Sequence, residues 1–346
     1  MAVIEELRRR ENEGALHHGG QGERVDILYI GSKRGMEKKM IKKIDVRFEG
    51  ISCGKLRRYF SWENFKDFFR VPVGFFQAIG ILRKYNPEVV FSKGGFVGVP
   101  VVMAAWVLRI PVVVHESDME PGLANKISFR FANKICLSFE ESKKFLKKSW
   151  KKKAEVTGTP IRKSIMDGDE DKGRKFCGFD KYRPVVLVMG GSLGAQQINE
   201  LVRGSLDELL KKFQIVHICG KGKLDMGIHK KGYKQFEYLN KELADVYSIT
   251  ELIISRAGAN SLAEIAVLGK RAVIIPLGME GSRGEQIDNA RSYSKKYAWS
   301  ILNGEIASED FVKAVEMAYK NKVNKVKMEN GVENVIDVLR DHSKKS

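Results

Sequence analysis

The stretch PVVLVMGGSLGAQQINELV (184–202) runs from a continuous apolar segment through Gly190, Gly191, Ser192 and Gly194 into a helix-forming segment. An unbroken β-branched run bounded by glycines predicts a strand buried on both faces, as in parallel sheets covered by helices. Similar runs recur at VDILYI (25–30), EVVFS (88–92), IPVVVHE (110–116), QIVHIC (214–219), LIISR (252–256) and RAVIIPL (271–277). Helix-length amphipathic or basic segments separate them, so the expected class is α/β with parallel sheets. The polar stretch VTGTPIRKS (156–164) and the charged run DGDEDKGRK (167–175) interrupt the series. They predict a boundary near residue 160, with domains at 1–160 and 161–325. The polar segment 326–346 is expected as a last helix or tail that packs back on the first domain.

Composition narrows the partners. The chain has 346 residues, 43% of them hydrophobic, with 61 Lys+Arg against 43 Asp+Glu and a net charge of +18. That excess attracts anions: nucleic acid, phosphorylated metabolites or anionic lipid. Cys53, Cys136, Cys177 and Cys219 form no C-x-x-C pair, which argues against a disulfide scaffold and a zinc site and suits a reducing cytoplasm. No apolar run reaches the roughly 20 residues that span a bilayer, and MAVIEELRRR is too charged for a signal peptide's apolar segment. A soluble or membrane-surface protein is expected.

Five segments carry chemistry. In the 184–202 turn, Gly190, Gly191 and Gly194 would let backbone amides approach a phosphate, and the following helix N-terminus would add positive potential. The pattern lacks the ending of a Walker loop, and a mere tight connection is the alternative. A second turn follows LIISR: Arg256-Ala257-Gly258-Ala259-Asn260-Ser261-Leu262-Ala263-Glu264. Here Asn260 or Ser261 is expected to cap a helix, with Glu264 on its first turn. There Glu264 either satisfies its own helix's amides or accepts hydrogen bonds from a ribose diol. In the first half, FSKGGFVGVPVVMAA (91–105) and VVVHESDMEPGLANKIS (112–128) place His115, Glu116 and Asn125 just past strand ends, where a parallel sheet faces its ligands. A lone His-Glu dipeptide is weak evidence of acid–base work. Finally, KLRRYFSWENFKDFFRVPVGFFQAIGIL (55–82) mixes Trp62, Phe65 and other rings with Lys55, Arg57, Arg58, Lys66 and Arg70. Phe75, Ile79 and Leu82 share a helical face and belong to the core; the remainder reads as a surface for anionic lipid. Aromatic-basic mixing also suits single-stranded nucleic acid, but the cations cluster at the segment's start rather than tracking a groove. Two weaker signals are read as loops: Asp167-Gly168-Asp169, which has no buried strand before it, and His17-His18, which lack further metal ligands.

Taken in order, GGFVGVP, HESD with GLANK, GTPIR, GGSLGA, SRAGANSLAE and GEQIDNA resemble the motif series of the MurG family, bacterial glycosyltransferases that add N-acetylglucosamine to the lipid-linked cell-wall precursor. The resemblance covers residues 29 to about 325. It implies a GT-B fold, two Rossmann-like parallel-sheet domains with a cleft between them. UDP-N-acetylglucosamine would bind mainly in the C-terminal domain and the undecaprenyl-pyrophosphate-linked N-acetylmuramoyl-pentapeptide mainly in the N-terminal one. The implied reaction is an inverting transfer, lipid I to lipid II, without metal or cofactor, at the cytoplasmic face of the membrane. Basic charge alone leaves nucleic-acid binding open, but no recognised module supports it, so no nucleic-acid partner is expected. By the same resemblance Arg162 and Ser192 lie near the diphosphate or uridine, and Ala259, Asn260, Ser261, Leu262, Ala263 and Glu264 wrap the nucleotide. Glu264 would hold the ribose, Gln286 and Asn125 the sugar side, and Leu239 the uracil.

The family pattern begins with a strand and a Gly-rich turn ending in Gly-His, ahead of a helix like AVIEELRRR. Met1 stands where that helix is already under way, so those elements are expected to be encoded upstream. His17 and His18 follow the helix and do not replace the histidine. The general base is therefore unassigned, with His115 and Glu116 the candidates. Ser117-Asp118 stands where many relatives have Gln-Asn. Two other functions stay open: transfer to a different lipid acceptor, and a membrane-docked UDP-sugar binder without turnover.

Overall fold

Parallel strands alternate with helices through most of the described residues. The computed structural model describes residues 1–13, 25–33, 35, 37–41, 44–53, 62–191, 194–278, 284–321, 328 and 330–343, with backbone alone at 39–40 and 62–70. Of the expected site and docking residues, Ser192, His17, His18, Lys55, Arg57 and Arg58 lie outside these, as do the side chains of Trp62, Phe65, Lys66 and Arg70. The chain divides into two units, Met1–Pro160 with Gly331–Ser346, and Ile161–Asn330.

The first unit contains α1 (Ala2–Asn12), β1 (Leu28–Ser32), α2 (Glu37–Ile41), β2 (Arg47–Ile51), α3 (Trp62–Tyr85), β3 (Val90–Ser92) and α4 (Gly98–Val107). It continues with β4 (Val112–Glu116), α5 (Leu123–Ser128), β5 (Lys134–Leu137), α6 (Lys148–Lys151) and β6 (Ala154–Val156). Strands β1 and β2 pair in parallel, and β3-β4-β5-β6 form a second parallel sheet. Every residue of β4 is buried. Successive strand residues point to opposite faces. Val112 and Val114 accordingly join a core with Leu82, Phe129 and Ile135, while Val113 and Cys136 meet Val332, Val335 and Ile336 on the other side. Phe75 and Ile79 of α3 pack against the first core beside Leu82.

The second unit comprises α7 (Glu170–Cys177), β7 (Val185–Met189), α8 (Gln196–Gly204), α9 (Leu206–Leu209), β8 (Gln214–Ile218), β9 (Tyr233–Phe236) and α10 (Glu242–Ile249). After these come β10 (Thr250–Ser255), α11 (Ala259–Val267), β11 (Arg271–Ile274), α12 (Glu285–Tyr297), β12 (Ser300–Ile301) and α13 (Ser308–Lys320). Its sheet is wholly parallel, in the order β12-β11-β10-β7-β8-β9. From β7 the chain moves through α8 to β8 on one side; from β10 it moves through α11 to β11 on the other. The neighbours β7 and β10 therefore mark a topological switch point, where connections diverge and open a crevice at the strands' carboxyl ends.

The chain then returns to the first unit as α14 (Val332–His342), which packs on α1 and β4. Arg10 of α1 pairs with Glu333 of α14. Buried Glu6 is balanced by Arg9 at 2.6 Å and Arg10 at 3.0 Å. Among the described residues no helix is long and apolar enough to cross a membrane.

Candidate functional site

At the switch point, β7 ends at Met189 and the chain enters the glycine turn. A Cβ on Gly190 would lie 2.4 Å from the Ala195 nitrogen, and one on Gly194 would lie 2.0 Å from the Cys219 carbonyl oxygen. Gly191 and Gly194 hold φ of 85° and 70°, the left-handed region that favours glycine. Helix α8 then starts without a side-chain cap, so its first amides are not taken by a capping side chain.

The turn rests on a buried hydrogen-bond chain. The Tyr233 hydroxyl and His217 Nδ1 are 2.8 Å apart, His217 Nε2 and Asn199 Oδ1 are 3.0 Å apart, and Asn199 Nδ2 donates to the Cys219 carbonyl at 3.0 Å. Because Asn199 Oδ1 can only accept, Nε2 of His217 carries the proton and Nδ1 accepts from Tyr233. Burial, reinforced by Arg203, lowers the His217 pKa to about 3 and keeps the ring neutral.

On the other side of the switch point, α11 begins at Ala259 behind an extended Gly258, which is its N-cap and supplies no side-chain bond. Asn260 and Ser261 therefore lie inside the helix, contrary to the expected capping role. Glu264 is six residues past the cap, beyond the third position that a capping box requires. Its Oε2 instead accepts from the Tyr247 hydroxyl at 3.1 Å. Tyr247 of α10 is 1% exposed; burial first, and the Glu264 charge second, raise its pKa well above 10, while the Arg162 charge opposes them. Arg256 ties the two sides together. One of its guanidinium nitrogens donates to Gln197 of α8 at 3.1 Å and to the carbonyls of Ile275 and Pro276 at 3.0 and 3.1 Å. Gln286 of α12 accepts from the Leu277 amide at 3.1 Å, and Asn289 donates to the Ala257 carbonyl at 3.4 Å. The second unit thus gathers the glycine turn, Ala259 to Glu264 and Gln286 at the carboxyl ends of β7, β10 and β11, with Arg162 near enough for its charge to act on Tyr247. Leu239, half-buried, sits in the loop before α10.

His115, Glu116 and Asn125 form a separate network in the first unit. His115 is fully buried, with Nε2 2.9 Å from the Gly158 carbonyl, and burial lowers its pKa to about 3 with Lys93 adding to the effect. The Glu116 carboxylate accepts from the Asp118 amide at 2.9 Å, the Gly122 amide at 3.0 Å and Asn125 Nδ2 at 2.8 Å. Burial pushes its pKa up, and these donors oppose the rise. Groups so enclosed and so occupied hold the loop after β4 in place, which speaks against the acid–base role considered for them. Asp169 caps α7 by accepting from the Lys172 amide at 3.0 Å, so the Asp-Gly-Asp stretch has a local structural task. Among the described residues no group of three or more His, Cys, Asp or Glu is arranged to hold a metal.

Residues 15–137 match the glycosyltransferase family 28 N-terminal domain and residues 185–340 its C-terminal domain. The chain belongs to glycosyltransferase family 28. Within the family, it is 46% identical over 92% of its length to the Legionella pneumophila (strain Paris) UDP-N-acetylglucosamine–N-acetylmuramyl-(pentapeptide) pyrophosphoryl-undecaprenol N-acetylglucosamine transferase, of which it covers 89%. With the Clostridium perfringens (strain 13) protein of the same name it shares 47% identity over 91% of the chain and 90% of that protein. The Acinetobacter baumannii MurG crystal structure superposes with a TM-score of 0.69 at 22% identity, covering 98% of this chain and 96% of that one. UDP-GlcNAc 2-epimerase from Neisseria meningitidis bound to UDP-GlcNAc gives 0.67 at 12% identity, with coverages of 98% and 96%. This family 28 enzyme thus has the two-domain Rossmann-like GT-B fold expected from its motifs. Sequence reasoning missed Tyr247 and His217; a polar tip within an otherwise apolar stretch was the signal for each.

Proposed function

We propose that the enzyme transfers N-acetylglucosamine from UDP-N-acetylglucosamine to the undecaprenyl-pyrophosphate-linked N-acetylmuramoyl-pentapeptide, converting lipid I to lipid II at the cytoplasmic face of the membrane. The observation that carries this reading is the activity named for relatives 46–47% identical over nine-tenths of the chain. The switch point supports the donor half. There the diphosphate would lie on the amides of the Gly190–Gly194 turn and the α8 N-terminus, with Arg162 and Ser192 beside it. Residues Ala259 to Glu264 would wrap the nucleotide, Glu264 accepting from the ribose diol, while Leu239 meets the uracil and Gln286 and Asn125 serve the sugar side.

In the step itself an acceptor sugar hydroxyl attacks the anomeric carbon from the face opposite the leaving group. The new C–O bond forms as the bond to the β-phosphate oxygen breaks, UDP departs with the electron pair, and the hydroxyl proton passes to a base. Fixed amides, the helix dipole and the Arg162 guanidinium would meet charge as it grows on the leaving diphosphate, an environment organised before the reaction begins. No residue of the chain is assigned as the base. Docking on anionic lipid would bring the enzyme to an acceptor held at the bilayer face.

The test is transfer from radiolabelled UDP-N-acetylglucosamine to lipid I in vesicles. Label in lipid II with one UDP released per sugar is expected. UDP-sugar binding without transfer to any lipid would reduce the chain to a binder, and transfer only to another lipid would replace the acceptor.

A further inference from the structure

We infer that the Tyr247 hydroxyl is a positioning group that orients the Glu264 carboxylate toward the donor's ribose diol, and so sets the preference for ribonucleotide over deoxyribonucleotide. This rests on the donor-site reading above. Three observations converge on the hydroxyl. It donates to Glu264 Oε2 at 3.1 Å, it lies 3.6 Å from Met189 Sδ at the mouth of the glycine turn, and Arg162 is near enough for its charge to be felt. Elements α10, α11 and the end of β7 therefore meet at one oxygen.

The chemistry favours a tyrosine here. A glutamate side chain on a helix surface samples several rotamers, and a single fixed donor to one oxygen selects among them. The ring of Tyr247 is enclosed and cannot swing, so its hydroxyl is fixed by packing rather than by solvent. Burial and the neighbouring carboxylate also keep the phenol protonated and therefore a donor. A carboxylate held in this way can accept from the cis-diol of a ribose without first paying to become ordered.

Tyr247→Phe keeps the ring and deletes only the hydroxyl. The readout is the ratio of calorimetric affinities for uridine diphosphate and 2′-deoxyuridine diphosphate, which a change in core packing alone would leave unaltered. Tyr247→Phe should narrow that ratio about fivefold, Glu264→Ala should abolish it, and Tyr247→Phe in the Glu264→Ala background should change it no further. In turnover, the KM for UDP-N-acetylglucosamine should rise at nearly constant kcat, as expected when binding common to ground and transition states is lost. If Tyr247→Phe keeps the wild-type ratio while Glu264→Ala loses it, the inference is overturned and the donor-site reading stands. If Glu264→Ala itself keeps the ratio, the donor-site reading fails and the inference with it. A Tyr247→Phe chain that does not fold would also overturn the inference, because the hydroxyl would then serve the core.

Discussion

Gly194 faces the carbonyl of Cys219 so closely that a Cβ at this position would lie 2.0 Å from the oxygen, and its φ is 70°. Neither neighbour can yield cheaply, because the obstacle is backbone on β8's carboxyl end and Asn199 already donates to that same oxygen at 3.0 Å. Gly194→Ala should therefore lower stability by about 2–4 kcal/mol, from strain in the left-handed region plus displacement of the β8 loop. Equilibrium denaturation reads the loss. An unchanged midpoint would mean that the turn relaxes without cost.

Two histidines buried among the described residues give a pH dependence with a definite sign. Both His115 and His217 are held to about 3, below the ordinary value of 6.5. The folded state therefore stays neutral while the unfolded chain takes up protons as pH falls through 6.5. Stability is full above that value and declines between 6.5 and 3, by about 2 kcal/mol per histidine from pH 7 to pH 5. Denaturant midpoints across that range measure the slope. His217→Gln should remove one histidine's share, and a variant with the wild-type slope would show that the ring is protonated in the fold.

Much of the fold was legible because its central strands are continuous apolar runs. In the second unit's sheet PVVLVMG, QIVHIC and RAVIIPL contain β7, β8 and β11 and LIISR covers most of β10, while IPVVVHE contains β4 of the first unit. Strands β2, β5, β6, β9 and β12 escaped notice. They are two to five residues long, and β2 (RFEGI) and β9 (YKQF) carry the polar residues of half-exposed strands, which resemble loops in sequence. At the site, glycine spacing pointed to the β7 turn. The partner of Glu264 could not be read, because Tyr247 is 17 positions away and meets it only when α10 packs beside β7. The cap of α11 was misplaced for a local reason: Asn260 and Ser261 are good caps, yet Gly258 alone takes the extended conformation there.

Replacing Glu264 with Ala should weaken UDP-N-acetylglucosamine binding by about 1–3 kcal/mol, the contribution of a charge-assisted hydrogen bond to a ribose hydroxyl. Calorimetry decides the matter. Wild-type affinity would assign the carboxylate to Tyr247 and the fold alone.

The proposed docking on anionic lipid can be tested on residues that α3 and α4 leave in solvent. Val73 and Phe76 are 49% and 69% exposed, and Trp106 and Val107 are 56% and 50% exposed, on two helices that pack together. Apolar side chains left this open on neighbouring helices are candidates for an interaction surface. The exposed cations Arg83, Lys84 and Arg109 belong to the same two helices or the turn after them, and each contributes about 1 kcal/mol near an anionic surface. Vesicles containing anionic lipid should therefore sediment the enzyme at low ionic strength and release part of it as salt rises and screens those charges. Phe76→Ser with Trp106→Ser should cut the bound fraction further at every salt concentration, while the melting temperature reports that the helices still pack. Equal sedimentation on neutral and anionic vesicles would remove the electrostatic half of the argument. Full binding by the folded double variant would remove the apolar half and move the docking face to another part of the chain.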